Sequence, residues 1–284
     1  MLESLFGVKY LIHHEDKSLA ALPESYEKLW QEGTDSVWKN PYALPLAFIT
    51  SSPSDTIEFV EDPFENQNRL VCDLTGMEEP IFLKIPVNIS KQNETMYAVF
   101  EQPAKIPTYF SSDGAWFSLN RGSFEKLGRF IGCVKLPETA QAVQNELRVA
   151  LDAGYLGGSV YVSALDEAAF ERAHALLSSN GCQIEHKTDS HLLIQTPEAD
   201  ASVQLVLTLP YDEGWNAFVD GAKVTTSKRY ESLLAVDLPA GSHNVELRFT
   251  PEGFKAGAAI SISSLLILLG WIWIALKYRK RTQK

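Results

Sequence analysis

The chain has 284 residues, enough for one large domain or two modest domains with real cores, and a formal net charge of −11 at pH 7. Five of its 25 basic residues and none of its 36 acidic residues follow residue 255, so residues 1–255 carry a formal charge of −16. Because an acidic surface repels phosphate backbones, we expect no nucleic-acid partner. Three widely spaced cysteines imply no disulfide framework, and the six scattered histidines indicate no metal site.

A helix is predicted over residues 63–75. Asp62 is a capping residue that can accept hydrogen bonds from the first backbone N–H groups of a helix, and Pro63 suits the first helical position. Gly76 can adopt the left-handed conformation that ends a helix. Residues 15–42, which precede this segment, carry aromatic residues among charges and prolines without a periodic pattern, and we expect irregular structure there.

Residues 1–160 are otherwise predicted to be a β-rich region. Residues 44–50 form a short apolar run in which Pro45 permits only an edge strand. After the helix, short apolar runs alternate with clusters of proline, asparagine, glycine and serine, as in an antiparallel sandwich. Tyr109 and Trp116 flank one of these turns, where flat aromatic faces can stack on a sugar ring. We name both as candidate glycan contacts, although a packed hairpin tip is the simpler interpretation.

Residues 161–254 are predicted to be an α+β segment that ends in a compact immunoglobulin-like sandwich. A helical pattern is followed by runs in which apolar and polar residues alternate, as they do along half-buried strands. Asp220 and Gly221 lie between two such runs, and an Asp-Gly pair is a strong hairpin signal because both turn positions tolerate positive φ. Trp215 is a third candidate glycan contact, although a core position beside the hairpin is the simpler interpretation.

The most apolar stretch comprises residues 257–276, twenty residues without a charge. At about 1.5 Å per helical residue it extends about 30 Å, the thickness of the hydrocarbon core of a bilayer. Basic residues cluster directly after it, and a basic flank marks the cytoplasmic end of a membrane helix. We therefore predict a transmembrane helix over residues 255–276, a basic cytoplasmic tail over residues 277–284 and an extracytoplasmic location for residues 1–255.

The expected fold is mainly β, an antiparallel sandwich-like region with a few short helices and one C-terminal transmembrane helix. Within that helix Gly257, Ser261 and Ser264 recur at helical spacing and share one face. Small residues let another membrane helix approach closely, although a serine-rich sequence by chance is the alternative. The first residues of the chain have neither the basic start nor the apolar core of a signal peptide. Either the helix is a simple tail anchor with the reversed orientation, or the chain is the end of a longer membrane protein. Because the basic tail favours the second, we expect an upstream transmembrane region whose helices pack on this face.

One motif near the C-terminus combines a tyrosine, a glycine, a tryptophan and the Asp-Gly pair at fixed spacing: Tyr211, Gly214, Trp215, Asp220 and Gly221. We interpret it as structural, since its residue types suit a strand end and a hairpin turn. Three further stretches lie at residues 6–12, 62–76 and 238–257. Taken in order, the four stretches resemble the bacterial YfhO-type membrane protein family. They run from the first ten residues to the last helix, so the resemblance covers the whole chain.

The resemblance implies a multi-spanning, glycosyltransferase-like protein that takes a sugar from a polyprenyl-phosphate donor and attaches it to cell-wall polymers such as teichoic acids. In such proteins a polytopic N-terminal region carries the chemistry, and an extracytoplasmic β-rich region and a last helix follow it. This chain has no counterpart of the polytopic region. No catalytic, cofactor-binding or metal-binding residue is therefore carried over to it.

The expected function is non-catalytic support or substrate positioning for such a protein in the bacterial cell membrane. The expected partners are the lipid bilayer, the N-terminal transmembrane region and a cell-wall glycopolymer. Two alternatives stay open. One is a membrane-anchored glycan-binding module, which needs an exposed aromatic platform, and the other is a structural module in which the β domains act as spacers.

Overall fold

The computed structural model describes residues 2–14, 25–51, 57–92, 95–103, 105–112, 117–119, 134–136, 145–151, 159–188 and 190–281. Its helices are α1 (Leu2–Leu5), α2 (Pro63–Thr75), α3 (Glu167–Ser179) and α4 (Phe254–Arg281). Its strands are β1 (Tyr10–His14), β2 (Glu27–Glu32), β3 (Asp35–Lys39), β4 (Ala47–Thr50), β5 (Phe82–Ile85), β6 (Asn88–Gln92), β7 (Thr95–Gln102), β8 (Thr108–Ser112), β9 (Phe117–Leu119), β10 (Val134–Lys135), β11 (Asn145–Leu151), β12 (Val160–Leu165), β13 (Gln183–Thr188), β14 (His191–Gln195), β15 (Val203–Pro210), β16 (Trp215–Val219), β17 (Ala222–Val224), β18 (Thr226–Arg229), β19 (Leu233–Leu238) and β20 (Asn244–Phe249). All pairings between these strands are antiparallel, which confirms the predicted fold class.

The last part of the chain forms a sandwich of two sheets. One sheet has the order β18-β19-β15-β4 and the other the order β13-β14-β20-β16-β17. Aliphatic side chains fill the core between them, among them Leu205, Leu207 and Leu247, which are fully buried. On the opposite face of β15, Val206 is also fully buried because helices cover it. The first of these sheets therefore serves two cores, one inside the sandwich and one beneath the helices.

A second sandwich lies earlier in the chain. Its sheets have the orders β10-β8-β12-β5 and β6-β7-β11-β9. Phe100, Phe110, Val149 and Val162 are among the side chains buried between them. The sequence predicts an antiparallel sandwich after helix α2, and this sandwich is present. Part of that stretch lies outside the described residues.

Helices α2 and α3 fill the space between the two sandwiches. Leu70 and Leu74 of α2 pack with Leu177 of α3 against the outer face of the β18-β19-β15-β4 sheet. Phe64 and Val71, on another face of α2, pack against the outer face of the β10-β8-β12-β5 sheet. The β region is thus built of five layers: two sheets, a helix layer and two further sheets.

Helix α2 spans the residues that its capping signals predict. Asp62 Oδ1 accepts hydrogen bonds from the N–H groups of Phe64 at 3.0 Å and Glu65 at 3.3 Å. Gly76 has a φ of 72°, and its N–H donates to the Cys72 carbonyl at 2.8 Å. A helix packed between two sheets needs these partners, because its terminal N–H and C=O groups have limited access to water.

A third, small sheet has the order β1-β3-β2 and pairs with neither sandwich. The prediction of irregular structure over residues 15–42 is wrong for the β2–β3 hairpin within it, while residues 15–24 lie outside the described residues. Every residue of β2 is exposed, so this strand carries no burial pattern that sequence periodicity can reveal. Gly33, with a φ of 59°, supplies the turn between the two strands.

Strand β4 brings residues from the N-terminal part of the chain into the last sandwich. It pairs with β15 in a register that sets Ala47 opposite Leu207. It is the outermost strand of its sheet, in keeping with Pro45 two residues before it. The last sandwich is therefore completed by a strand that lies far outside residues 161–254.

A buried ion pair joins the helix layer to the last sandwich. Arg229 is only 1% exposed and donates to Asp73 Oδ2 at 2.7 Å and to Gln204 Oε1 at 2.6 Å. The Tyr230 hydroxyl donates to the same oxygen of Asp73. Burial raises the pKa of Tyr230, which keeps that hydroxyl protonated as a donor. Since Asp73 belongs to α2 and Arg229 ends β18, the cluster fixes α2 on the sheet.

We expect Arg229→Met to lower the free energy of unfolding by about 3–5 kcal/mol, because it leaves the largely buried carboxylate of Asp73 without its counter-charge. Lys39→Met is the matched control, since it breaks only the exposed ion pair of Lys39 with Glu27 and should cost less than about 1 kcal/mol. Urea unfolding of the full chain in detergent micelles measures both. Equal losses from the two substitutions would contradict this role of Arg229.

Candidate functional site

Helix α4 is long and apolar enough to cross a membrane. Its segment Phe254–Trp273 has a mean hydropathy of 1.9, and none of it is buried against the rest of the described chain. Twenty helical residues match the thickness of a hydrocarbon core. The helix continues without a break to Arg281, so the first five residues of the predicted basic tail, 277–281, are helical.

The predicted helix-packing residues share one face of α4. Gly257, Ser261 and Ser264 are all exposed, and a Cβ built on Gly257 would meet no atom within 4 Å. Ser264 Oγ donates to the Ile260 carbonyl at 2.8 Å, one turn earlier, so this hydroxyl is satisfied within the helix. In the described part of the chain this face contacts no other element and is open to lipid or to a second helix.

Helix α4 leaves the last sandwich from one of its two ends. Phe249, the last residue of β20, pairs with Trp215, the first residue of β16, and the N–H of Thr250 donates to the Gly214 carbonyl at 2.9 Å. Only residues 250–253 separate β20 from α4, and four residues extend at most about 14 Å. We call the end of the sandwich that carries Trp215 and Phe249 the membrane-facing end.

The sequence motif that contains Trp215 forms a tight corner at the membrane-facing end. Asp212 Oδ1 accepts a hydrogen bond from the Gly214 N–H at 2.7 Å. A Cβ on Gly214 would lie 2.7 Å from Phe249 Cε2 and 2.7 Å from the Thr250 carbonyl oxygen, so only glycine fits. The rings of Trp215 and Phe249 pack with centroids 5.0 Å apart. The glycine and the tryptophan of the motif therefore hold the strand that leads into α4.

The Asp-Gly turn of the same motif lies at the opposite, distal end. Asp220 and Gly221 have φ values of 49° and 84°, as a two-residue hairpin turn requires. The carboxylate of Asp220 lies 2.7 Å from His243 Nδ1 and accepts a hydrogen bond from the Asn244 N–H at 3.0 Å. The turn and the strand opposite it are thereby clamped together.

The side-chain hydrogen bond between Asp220 and His243 lowers the pKa of the aspartate and raises the pKa of the histidine. The hydrogen bond of His243 contributes fully to stability below the ordinary pKa of histidine. This contribution is lost as the pH rises through the raised pKa that His243 has in the folded state. The hydrogen bonds of Asp220 contribute fully to stability above the ordinary pKa of aspartate. This contribution is lost as the pH falls through the lowered pKa that Asp220 has in the folded state. The clamp is therefore strongest in mildly acidic solution.

The structure does not bring together the two predicted glycan contacts that it describes, Tyr109 and Trp215. Tyr109 lies on β8 and packs edge-on against Phe82 beneath the helix layer, with ring centroids 5.7 Å apart. Trp215 packs half-buried against the core of the other sandwich, as Tyr211 of the same motif does. Trp116 lies outside the described residues. Tyr109 and Trp215 therefore belong to two different packed regions.

A polar cleft of about 420 Å³ lies beside the N-terminus of α2, between that helix and strands β5 and β12. Glu61 Oε2 lies within hydrogen-bonding distance of Ser159 Oγ at 3.1 Å and of the Tyr161 hydroxyl at 3.4 Å. Arg69 Nε donates to Glu65 Oε1 at 2.9 Å. The charged side chains of the cleft are thus engaged with their neighbours.

The described residues show no metal-binding arrangement and no cysteine whose pKa is lowered; at Cys72, which is half-buried, burial raises the pKa of the thiol. Within them, no group of three or more histidine, cysteine, aspartate or glutamate side chains could hold a metal ion. Cys182 is buried in the core of the last sandwich, and this burial raises its pKa to about 12. Its thiol stays protonated at neutral pH and is not a nucleophile.

The N-terminal segment reaches the membrane-facing end as well. β4 runs antiparallel to β15 and so begins where β15 ends, directly before the corner at Trp215. The Leu46 carbonyl, just before β4, accepts a hydrogen bond from the Thr208 N–H at 2.9 Å, and the Leu44 N–H donates to the Ser4 carbonyl at 2.9 Å. The start of the described chain and α4 therefore lie at one end of the last sandwich, a proximity that no sequence pattern indicated.

We expect Gly221→Val to lower the free energy of unfolding by about 1 kcal/mol or more, because a β-branched residue is strained at positive φ. A Cβ at this glycine would meet no atom within 4 Å, so the loss comes from the backbone alone. Gly221→Asn is the control, since asparagine tolerates the left-handed conformation. Thermal unfolding of both variants in detergent tests this; equal melting temperatures would contradict it.

Comparison with known proteins identifies the family. The family described as "Bacterial membrane protein YfhO" matches residues 1–261. A curated relative, the "Uncharacterized protein YfhO" of Bacillus subtilis (strain 168), is 29% identical over 68 residues, which are 24% of this chain and 8% of that protein. That relative is therefore about three times as long as this chain, and the match spans less than a tenth of it. No solved structure matches. Because the family match extends over most of its length, this chain belongs to the YfhO family of bacterial membrane proteins.

Proposed function

We propose that this chain is the non-catalytic C-terminal part of a glycosyltransferase-like membrane protein that decorates cell-wall polymers of the teichoic-acid type. In this proposal further membrane helices carry the chemistry and use a polyprenyl-phosphate sugar as the donor. The present residues position the acceptor polymer or support the catalytic region. The reaction class rests on the resemblance to YfhO-type proteins, and the supporting role rests on the geometry of the membrane-facing end.

The observation that carries the supporting role is the short connection between the last sandwich and α4. With at most about 14 Å of chain between β20 and the helix, the sandwich stays beside the bilayer surface. The corner built by Gly214 and Trp215 packs closely on Phe249 and Thr250, so the strand that leads into α4 is held to the sandwich up to residue 250. A lipid-linked sugar donor reacts at that surface, so a β region held there can present an acceptor to it.

A second observation supports attachment to further membrane helices. The N-terminal segment and α4 lie at the same end of the sandwich, so membrane segments on either side can connect without crossing the β region. The length of the curated relative, about three times that of this chain, is in keeping with such an arrangement. The partner helices would then be supplied by the same polypeptide or by a separate subunit.

The alternative of a membrane-anchored glycan-binding module would place its ligand in the polar cleft beside α2, and the lining of that cleft argues against it. Its buried aromatic residues, Phe64 and Phe82, leave no ring face open for stacking. Tyr161 is half-buried and faces Glu61. The cleft therefore offers polar contacts without the aromatic platform that such a module needs.

The proposed function is tested by freeing the sandwich from the bilayer. A 20-residue glycine-serine insertion after Pro251 lengthens the connection to α4 but leaves both parts intact. In the bacterium that carries the gene, we expect this insertion to abolish sugar substitution of the extracted wall polymer, measured by NMR, at an unchanged protein level. The same insertion after Asp200, in an exposed loop at the distal end, is the control and should preserve substitution.

Equal substitution with the two insertions would contradict the positioning role. Deleting the gene provides the second arm of the test. Loss of the sugar substituents on deletion supports a part in glycosylation. Unchanged substitution on deletion would contradict it and favour the glycan-binding or structural module.

The proposed sidedness makes a separate prediction. In a chain whose native cysteines are replaced, an impermeant maleimide should label Ala201→Cys in intact protoplasts, because the distal loop faces outward. Thr282→Cys should react only after lysis, because the basic end of the helix lies in the cytoplasm. Labelling of position 282 but not of position 201 in intact protoplasts would reverse the orientation.

We propose that the face of α4 that carries Gly257, Ser261 and Ser264 contacts partner helices. We expect photocrosslinkers at Gly257 and Ser261 to capture protein in native membranes, while a crosslinker at Leu266, which projects from another part of the helix, captures mainly lipid. Gel analysis of the products with lipid and protein labels distinguishes the two. Capture of protein at equal yield from all three positions would contradict a specific packing face.

A further inference from the structure

The exposed large hydrophobic residues of this chain are concentrated in one place outside α4. Among the described residues, eleven such side chains lie outside that helix, and five of them fall within residues 6–30. They are Phe6, Tyr10, Ile12, Leu29 and Trp30, with exposed fractions of 44–76%. Isolated exposed hydrophobic residues are ordinary on soluble surfaces, but a cluster of this kind marks an interaction site.

Strand register places part of this cluster on one face of the small sheet β1-β3-β2. Ile12 pairs with Val37, and Val37 pairs with Trp30, so the three side chains form a row across all three strands on the same face. Tyr10 lies two residues before Ile12 and shares that face. Ile12 is 76% exposed, the largest fraction in the row. We call this surface, made of Tyr10, Ile12, Val37 and Trp30, the apolar face.

On the opposite face of the same sheet, the polar side chains bond to one another or to a neighbouring ring. Trp38 Nε1 donates to Ser36 Oγ at 2.8 Å, and the ammonium of Lys28 lies 4.9 Å from the centroid of the Trp38 ring. Ser36 is only 1% exposed. The other side of the sheet is covered by no other described element, and on it the apolar row lies between the Glu27–Lys39 ion pair at one end and the paired residues Asp35 and Glu32 at the other.

The small sheet is attached to the chain at the membrane-facing end. The N–H of Asn40, the residue after β3, donates to the Lys9 carbonyl at 2.9 Å, and Asn40 Nδ2 donates to the Val8 carbonyl at 3.0 Å. The same amide donates to Ser4 Oγ at 3.2 Å. Residues 4–9 are in turn held to the segment before β4, which begins at the membrane-facing end. The sheet and α4 thus leave the sandwich from the same end.

We propose that the apolar face of the small sheet inserts into the headgroup region of the bilayer that α4 crosses. Tryptophan and tyrosine are enriched at that depth because their rings are apolar and their N–H or O–H groups reach water. The row suits the boundary between headgroups and acyl chains, because its exposed side chains are apolar and the most exposed of them, Ile12, is aliphatic. The inference rests on α4 being a membrane helix and requires no assumption about glycosylation.

The charges of the small sheet restrict the kind of lipid surface that it can contact. Glu27, Glu32 and Asp35 lie on the same side of the sheet as the apolar face, together with Lys39, whose Nζ lies 3.6 Å from Glu27 Oε2. Since an anionic membrane would repel the remaining acidic residues, the proposed contact is with neutral headgroups. The second contact would hold the sandwich at two points and would restrict its rotation about the axis of α4.

Depth-dependent fluorescence quenching tests this proposal on the full chain in phosphatidylcholine nanodiscs. The native cysteines are replaced, and an environment-sensitive fluorophore is attached to a single cysteine at Ile12. Gln31→Cys is the matched control, because Gln31 is exposed and lies on the opposite face of the same sheet. Ala201→Cys reports the distal end, and Leu266→Cys reports the membrane helix.

We expect nitroxide-labelled lipid to quench the label at position 12 at least twofold more than the label at position 31, with no quenching at position 201. Strong quenching at position 266 verifies that α4 is in the bilayer, so a failed anchor is distinguished from a failed proposal. Quenching at position 266 without quenching at position 12 would overturn the proposal. A blue-shifted but unquenched label at position 12 would also overturn it, since that result means that protein or glycan covers the face.

Discussion

The arrangement of this protein depends on how β20 passes into α4. The strand is fixed by its pairing with β16, by the hydrogen bond from Thr250 to Gly214 and by the packing of Trp215 on Phe249. Five residues later, at Phe254, the long apolar helix begins. A flexible connection would let the β region drift away from the bilayer. The short connection instead ties the position of the whole β region to the direction of one helix.

The connection to α4 fixes the position of the whole β region, because the layers of that region are joined by buried contacts. The outer face of the sheet that contains β15 packs on α2 and α3, and the other side of those helices packs on the second sandwich. Arg229 adds a polar link between the sheet and α2, through Asp73. The N-terminal segment closes the arrangement, since β4 completes the last sandwich from the opposite end of the sequence. The membrane-facing end is therefore connected to the helix layer through buried contacts.

Sequence signals were sufficient to predict the elements that depend on residues a few positions apart. The caps at Asp62 and Gly76 delimit α2, the Asp-Gly pair marks the hairpin turn, and the uncharged run marks α4. These features depend on residues a few positions apart. The family match agrees with the four sequence stretches that suggested it.

Features that depend on residues far apart in the chain could not be predicted from the sequence. Asp73 and Arg229 lie 156 positions apart, and Asp220 and His243 lie 23 positions apart, so no spacing rule connects them. The β2–β3 hairpin was missed for a different reason: its outer strand is wholly exposed and has no buried face to create a pattern. The aromatic residues proposed as glycan contacts were chosen by type. Only the fold separates Tyr109, under the helix layer, from Trp215, in the other sandwich.

The central claim is that the end of the last sandwich carrying Trp215 faces the bilayer and the Asp-Gly turn points away from it. Energy transfer from single donor labels to acceptor-labelled lipid headgroups tests this most directly. Ser232, whose carbonyl accepts a hydrogen bond from Tyr211, marks the near end, and Ala201 marks the far end. The eight residues of β15 separate the ends by about 25 Å, so we predict efficient transfer from position 232 and weak transfer from position 201. Equal transfer from the two positions would mean that the sandwich lies flat on the membrane and would contradict the account.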